Sequence, residues 1–377
     1  VLDEKVDAAR IIAEVDTLAA EPRLALDLEA DSFHRYVERV CLLQIGTRTA
    51  DVLYDPITHG LPEPVRALLS SPERTWVLHG GDYDILSLQR DFGLALGRVL
   101  DTQIAARFLG RPGLGLQALL QGELGIRIGK GEQRSDWRRR PLSLDQVRYA
   151  RQDVAHLLPL ADRLLEELEA CGRRSWVEEE CELLRVRLPQ PKVADPDACL
   201  KLKGARDLPD AGRAVVRAVH DWREAVAQAR DRAPFRVLAP ESIVPIAHEA
   251  LKRGPLPADE LRRWRGIAHD VDTKPLAEAI ARGLRTPAEG RAQRRPGPPP
   301  PAQPPGIRAR VEVLRQARVA WAEPLGLEPS LLLPPALIEA VAALPTPSPE
   351  VLQVVPGMTR WRYEVLAGSL LVALGSR

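Results

Sequence analysis

Residues 24–30 read LALDLEA, an apolar run interrupted by Asp27 and Glu29. The flanking pattern is that of a strand bound for the middle of a sheet. Side chains alternate along a strand, so both acids share one face while Leu26 and Leu28 take the other. Two such carboxylates repel each other and are poorly hydrated, and a bound divalent cation relieves both problems. Acids make up 52 of 377 residues, so two acids one residue apart are expected roughly seven times by chance. Context comes from two more stretches. In VLHGGDYDILSL a strand runs through a Gly-Gly turn into a helix, placing Asp82 and Asp84 at a strand's C-terminal end. Helix N-capping is the plain reading of those two acids. In VRYARQDVAHLLPL, Tyr149 and Asp153 stand i, i+4 on one helix face, a spacing that alone describes a surface hydrogen bond. The four cysteines, Cys41, Cys171, Cys181 and Cys199, form no CxxC pair, and the seven histidines are scattered. Any metal would therefore be held by carboxylates, whose oxygens suit hard ions such as magnesium or manganese.

The elements that must position these residues follow from periodicity. LALDLEA, RVCLLQIGT (39–47) and ADVLYDP (50–56) are strands in close succession, as in hairpins. TWVLHG (75–80) and the start of RVLDTQIAARFLG are two more, separated by helical patterns. That order predicts an α/β domain, a mixed sheet covered by helices. From about residue 160 the pattern is helical. Val215, Val219, Trp222 and Val226 form one apolar stripe at i, i+4, i+7 and i+11. The run RRPGPPPPAQPPG (294–306) is an extended spacer or a ligand for a small binding domain. VLAPESIV (237–244) and LLLPPALI (331–338) share an apolar run, a proline and a helix start, which suggests two diverged copies of one small all-α module. The expected division is a catalytic domain at 1–190, a linker at 191–203, a helical domain at 204–285, a Pro-rich linker at 286–306 and a second helical domain at 307–377.

A net charge of +1 supplies no global field for nucleic acid or membrane. With no apolar run near the ~20 residues of a spanning helix, no signal-peptide layout in VLDEKVDAARII and no paired cysteines, the expectation is a soluble cytoplasmic protein with reduced thiols.

Taken in order, LDLEADS, LHGGDYDI and YARQD resemble the three motifs of the DEDD superfamily of 3′→5′ exonucleases, and within it the ribonuclease D family. LDTQIAARFLGRPGLGLQALL and KGEQRSDWRRRPLS resemble further signature segments, and the likeness covers residues 22–165. The two helical blocks resemble HRDC domains, whose tandem arrangement is that of bacterial members. The resemblance implies a ribonuclease-H-like exonuclease fold. It places the family's metal-binding acids on Asp27, Glu29, Asp84 and Asp153; Asp84, not Asp82, lies five residues after His79. With Tyr149 four before the last aspartate and Arg148 before it, the chain falls in the tyrosine branch.

Such chemistry uses two divalent cations, Mg or Mn, about 4 Å apart to hydrolyse phosphodiesters. Tyr149 would orient the attacking water, since a phenol's ordinary pKa near 10 makes it a poor base. The expected activity is removal of 5′-mononucleotides from RNA 3′ ends, such as those of transfer RNA precursors or other structured RNA. Lys130, Arg134, Arg138, Arg139 and Arg140 could neutralise phosphates just before the third motif, or form a solvated charged loop. Trp137 could stack on a base or serve as a packing anchor. His34, with Arg35 and Tyr36, could touch the terminal nucleotide. The balanced charge of the helical modules leaves RNA binding, protein binding and simple packing open for them. A Werner-type DNA exonuclease and an inactive RNA-binding relative are the alternatives, and the presence of all four acids and the tyrosine argues against the second.

Overall fold

Leu24, Ala25 and Leu26 lose all contact with solvent, and this burial sets strand β1 (Arg23–Ala30) at the centre of a five-stranded sheet. The strand order is β3-β2-β1-β4-β5, with β2 at Val40–Gly46, β3 at Asp51–Tyr54, β4 at Thr75–Leu78 and β5 at Arg98–Asp101. β1, β2 and β3 pair antiparallel, whereas β4 and β5 run parallel to β1. Parallel neighbours need long crossovers; helices α1 (Glu63–Ser70) and α2 (Asp82–Phe92) lie in the connections before β4 and β5. The mixed α/β sheet expected from periodicity is thus present. β4 pairs with β1 only over Arg23–Ala25, so the end of β1 that carries both acids runs beyond that ladder. Ligand sites of open α/β sheets lie at this C-terminal edge.

The computed structural model describes residues 17–129, 131–188, 195, 197–286 and 306–375. They divide into two compact units. In the first, α3 (Thr102–Phe108), α4 (Leu144–Ala155), α5 (Leu157–Ala170) and α6 (Arg174–Arg185) complete the layers around the sheet. Helix α4 lies close against β1 and β2 because Gly46 has no side chain; a Cβ there would sit 3.1 Å from Cβ of Val154 and 3.3 Å from that of Ala25.

The second unit holds α7 (Asp210–Ala229), α8 (Pro240–Arg253) and α9 (Lys274–Arg285). The predicted stripe is its core, with Val215, Val219 and Trp222 buried and Val226 packed beside them. Cys199 and Leu200, expected in a linker, are buried in the same core. The loop 31–39 also belongs here. Arg236 Nε donates to the Phe33 carbonyl at 2.6 Å, Arg35 pairs with Asp231 at 3.7 Å, and Phe33 meets Phe235 edge to face.

The block after the Pro-rich run, which itself lies almost wholly outside the described residues, contributes α10 (Ile307–Ala322), α11 (Pro335–Ala342) and α12 (Arg360–Ala373) to the first unit. Set off in the sequence as a separate module, it shares one apolar core with α3, α5 and α6. Trp361 stacks on Trp176 at 4.9 Å and meets Phe108 edge-on at 5.2 Å. Its indole N–H donates to Glu180 at 2.9 Å, and the buried Arg362 pairs with the same carboxylate at 2.6 Å. The pairing matters because a buried guanidinium is tolerated only with its charge matched and its donors used. Replacing Trp361 with Ala removes this aromatic anchor. The expected loss is about 3–5 kcal/mol, read as a lowered urea midpoint in unfolding followed by tryptophan fluorescence.

Candidate active site

The side-chain alternation of β1 puts Asp27 and Glu29 on the face covered by α4, and α4 brings Asp153 to them. One carboxylate oxygen from each of the three lies within 4.8 Å of the others. The start of α4 is set by a reciprocal capping box between Ser143 and Gln146, which fixes where its later turns fall. Tyr149, one turn before Asp153, hydrogen-bonds to that carboxylate. Its ring lies 6.1 Å from that of Trp137.

Asp84 comes from the first turn of α2. It is buried while Asp82 is exposed, so the two acids of that motif part company on the helix surface. Burial pushes the Asp84 carboxyl well above its usual range, and the charges of Asp27, Asp101 and Asp82 add to the effect. Burial likewise raises Asp27 to about 7 and Asp153 to about 8, the latter pushed further by Asp27. Glu29 rises to about 10, from burial first and then from Asp27, Asp153 and Asp84. The Tyr149 phenol is also pushed up, by burial and by the same acids, so it keeps its proton and acts as a donor. The acids interact strongly enough to titrate as a set.

Asp101, at the end of β5, holds the turn that delivers Asp84, and sequence reasoning gave it no role. It is almost fully buried and accepts hydrogen bonds from the backbone N–H groups of Gly80, Gly81, Gln103 and Ile104 at 2.7–3.2 Å. Gly80 adopts φ +65°, a left-handed conformation that favours glycine. His79 and Thr102 brace the same turn, with Nδ1 and Oγ1 3.0 Å apart and the hydroxyl donating to the Leu78 carbonyl. An acid between a strand and a helix, as in VLDTQ, is the signal that could have revealed this cap.

The expected substrate residues fare differently. Trp137 is fully buried with Leu42, Leu142 and Ala150, so it has no face for a base and is a packing residue. Arg140 is half-buried and engaged with Asp55 at 2.6 Å and with the carbonyls of Cys41 and Trp137, which makes it a brace rather than a phosphate ligand. Arg134 and Arg139 are exposed and Arg138 is half-buried, on the loop leading into α4. Lys130 lies outside the described residues. His34 sits in the loop that belongs to the second unit, its carbonyl accepting from Ala233 N–H at 3.3 Å, and Tyr36 packs on that unit's core.

A family model described as 3′-5′ exonuclease matches residues 3–169. A ribonuclease D of Pseudomonas paraeruginosa is 32% identical, over 98% of this chain and 96% of that protein. The chain belongs to the ribonuclease D family. The structure of Escherichia coli RNase D, described as an exoribonuclease involved in structured RNA processing, superposes with a TM-score of 0.63 at 27% identity. That match covers 98% of this chain and 97% of the other. The catalytic core of RRP6 from Trypanosoma brucei gives a TM-score of 0.65 at 30% identity, covering 74% of this chain and 78% of that one. As a ribonuclease D family member the chain is a 3′→5′ exoribonuclease, and its exonuclease family is divalent-metal dependent. No helix among the described residues is long and apolar enough to cross a membrane.

The raised acids give this ribonuclease D family member a signed pH dependence. In chelator, the folded state keeps protons that the unfolded chain releases near its ordinary carboxyl range, so stability falls as pH rises through the folded-state values. The melting temperature in EDTA is expected to decline between about pH 5 and pH 8, and Asp27→Asn to flatten the decline.

Proposed function

We propose that Asp27, Glu29, Asp84 and Asp153 hold two divalent cations, Mg or Mn, and that this centre releases 5′-mononucleotides from the 3′ ends of structured RNA such as transfer RNA precursors. The observation that carries the reading is the convergence of three carboxylate oxygens within 4.8 Å, with Asp84 and the Tyr149 hydroxyl adjoining. The donor set fits such ions, being all oxygen and crowded enough that burial raises every acid and repulsion adds to it at Glu29, Asp84 and Asp153.

When bound, the cations supply charge neutralisation at the phosphate and a water acidic enough to attack. Asp27, Glu29 and Asp153 would hold one, and Asp84 with Asp27 the other. Tyr149 keeps its phenolic proton, donates it to Asp153 in a hydrogen bond and would orient the attacking water by accepting a hydrogen bond from it. Arg134, Arg138 and Arg139, on the loop leading into α4, would neutralise a phosphate backbone entering there. The preference for RNA rests on family membership, since no side chain among the described residues of the site marks a contact for the 2′-hydroxyl.

The test uses 5′-labelled single-stranded RNA and DNA with magnesium, manganese or chelator. The expected result is a ladder of shortened RNA that vanishes with chelator and in Asp27→Ala and Asp153→Ala. Preferential loss of DNA would move the assignment to the Werner type, and the absence of any ladder would sink it. Tyr149→Phe is expected to lower kcat by about 10²–10³-fold with KM for RNA nearly unchanged, as measured by single-turnover and steady-state kinetics.

A further inference from the structure

Gln44 stands directly opposite Asp27 in the antiparallel ladder of β1 and β2. Directly paired residues share a face, with Cβ atoms about 4.5–5.5 Å apart. Gln44 therefore lies on the face that carries Asp27 and Glu29, in a row that continues to Leu53 on β3. Its side chain is fully buried, and neither its amide nitrogen nor its amide oxygen has a hydrogen-bond partner among the described residues. From Val40 to Ile45 every other position of β2 is apolar. A buried amide without partners costs stability that an apolar side chain of the same length would not. Packing alone gives no reason for glutamine here, whereas the carboxylate across the strand pair does.

We propose that Gln44 is a positioning residue for Asp27, its amide N–H turning to one carboxylate oxygen when a cation engages the other. The inference rests on the metal reading of Asp27. An amide suits the task because it donates without adding charge to a cluster already rich in carboxylates. A lysine would pair with Asp27 as a rival to the cation.

Gln44→Met keeps length and removes both polar atoms. Full-length wild type, Gln44→Met and Asp27→Asn are compared by thermal unfolding in EDTA and across a Mn²⁺ titration, and by RNA hydrolysis. In EDTA, Gln44→Met is expected to melt at or above the wild-type temperature, because an unpartnered amide has gone. The Mn²⁺ concentration giving half of the thermal stabilisation should rise by about 10–100-fold. kcat should fall while KM for RNA stays put. Asp27→Asn should show little Mn²⁺ stabilisation. A wild type that Mn²⁺ does not stabilise overturns the metal reading and this inference with it. Stabilisation that Asp27→Asn loses and Gln44→Met retains at wild-type concentrations overturns this inference alone. So does a Gln44→Met protein that melts early in EDTA, which would make the glutamine a structural residue.

Discussion

Mutual repulsion among the four carboxylates is the constraint to which the rest of the catalytic unit answers. Two like charges about 4 Å apart repel by about 4 kcal/mol at an effective dielectric of about 20. Folded domains hold a net stability of only about 5–15 kcal/mol. Asp27, Glu29, Asp84 and Asp153 cannot all stay charged unaided, and their raised proton affinities reflect burial first, with repulsion added at Glu29, Asp84 and Asp153. The surrounding fold keeps them from escaping. Asp27 and Glu29 are fixed by a central strand buried at Leu24, Ala25 and Leu26, and Asp153 by a helix pressed close over Gly46. Asp84 is fixed by a turn whose backbone donors all end on Asp101. A cluster made only of carboxylate oxygens suits a hard divalent ion better than a soft one.

Much of this was legible in the residues, for reasons of geometry. Strand alternation alone put Asp27 and Glu29 on one face, and helical spacing alone put Tyr149 beside Asp153. Both patterns survive into the fold because they depend on local backbone geometry and on nothing distant. The choice between Asp82 and Asp84 needed the likeness to known exonucleases, and helix α2 agrees by burying one acid and exposing the other. What could not be read was the partner of each long side chain. Arg140 looks like part of a basic loop until Asp55, 85 residues earlier, is seen to hold it. Trp137 reads as an anchor more readily than as a stacking platform, and its burial beside Tyr149 decides. His34 follows the first motif in the chain, yet its loop is stitched by Arg236 and Ala233 to a helical unit more than 190 residues away.

The two helical blocks, similar in sequence pattern, are used differently. The first builds its own core around Val215, Val219 and Trp222, and gathers both the loop 31–39 and residues near Cys199 into it. The second lacks such independence: Leu314, Leu337 and Leu366 merge with residues of α3, α5 and α6 into one core.

That merger has a consequence for how the protein comes into being. Trp361 and Arg362 meet Glu179 and Glu180 across a sequence separation of 181 or 182 residues. The next residue, Cys181, accepts the backbone N–H of Asp101, the cap of the turn bearing Asp84. Contacts so distant in sequence form late, after the loop between them has closed. On the ribosome, the strands and acids emerge long before Trp361 does. Until it arrives, Trp176 and Phe108 lack their covering ring, and the helix beneath Asp101 lacks its outer support. A nascent chain would thus carry all four acids well before α12 completes the scaffold behind Asp84.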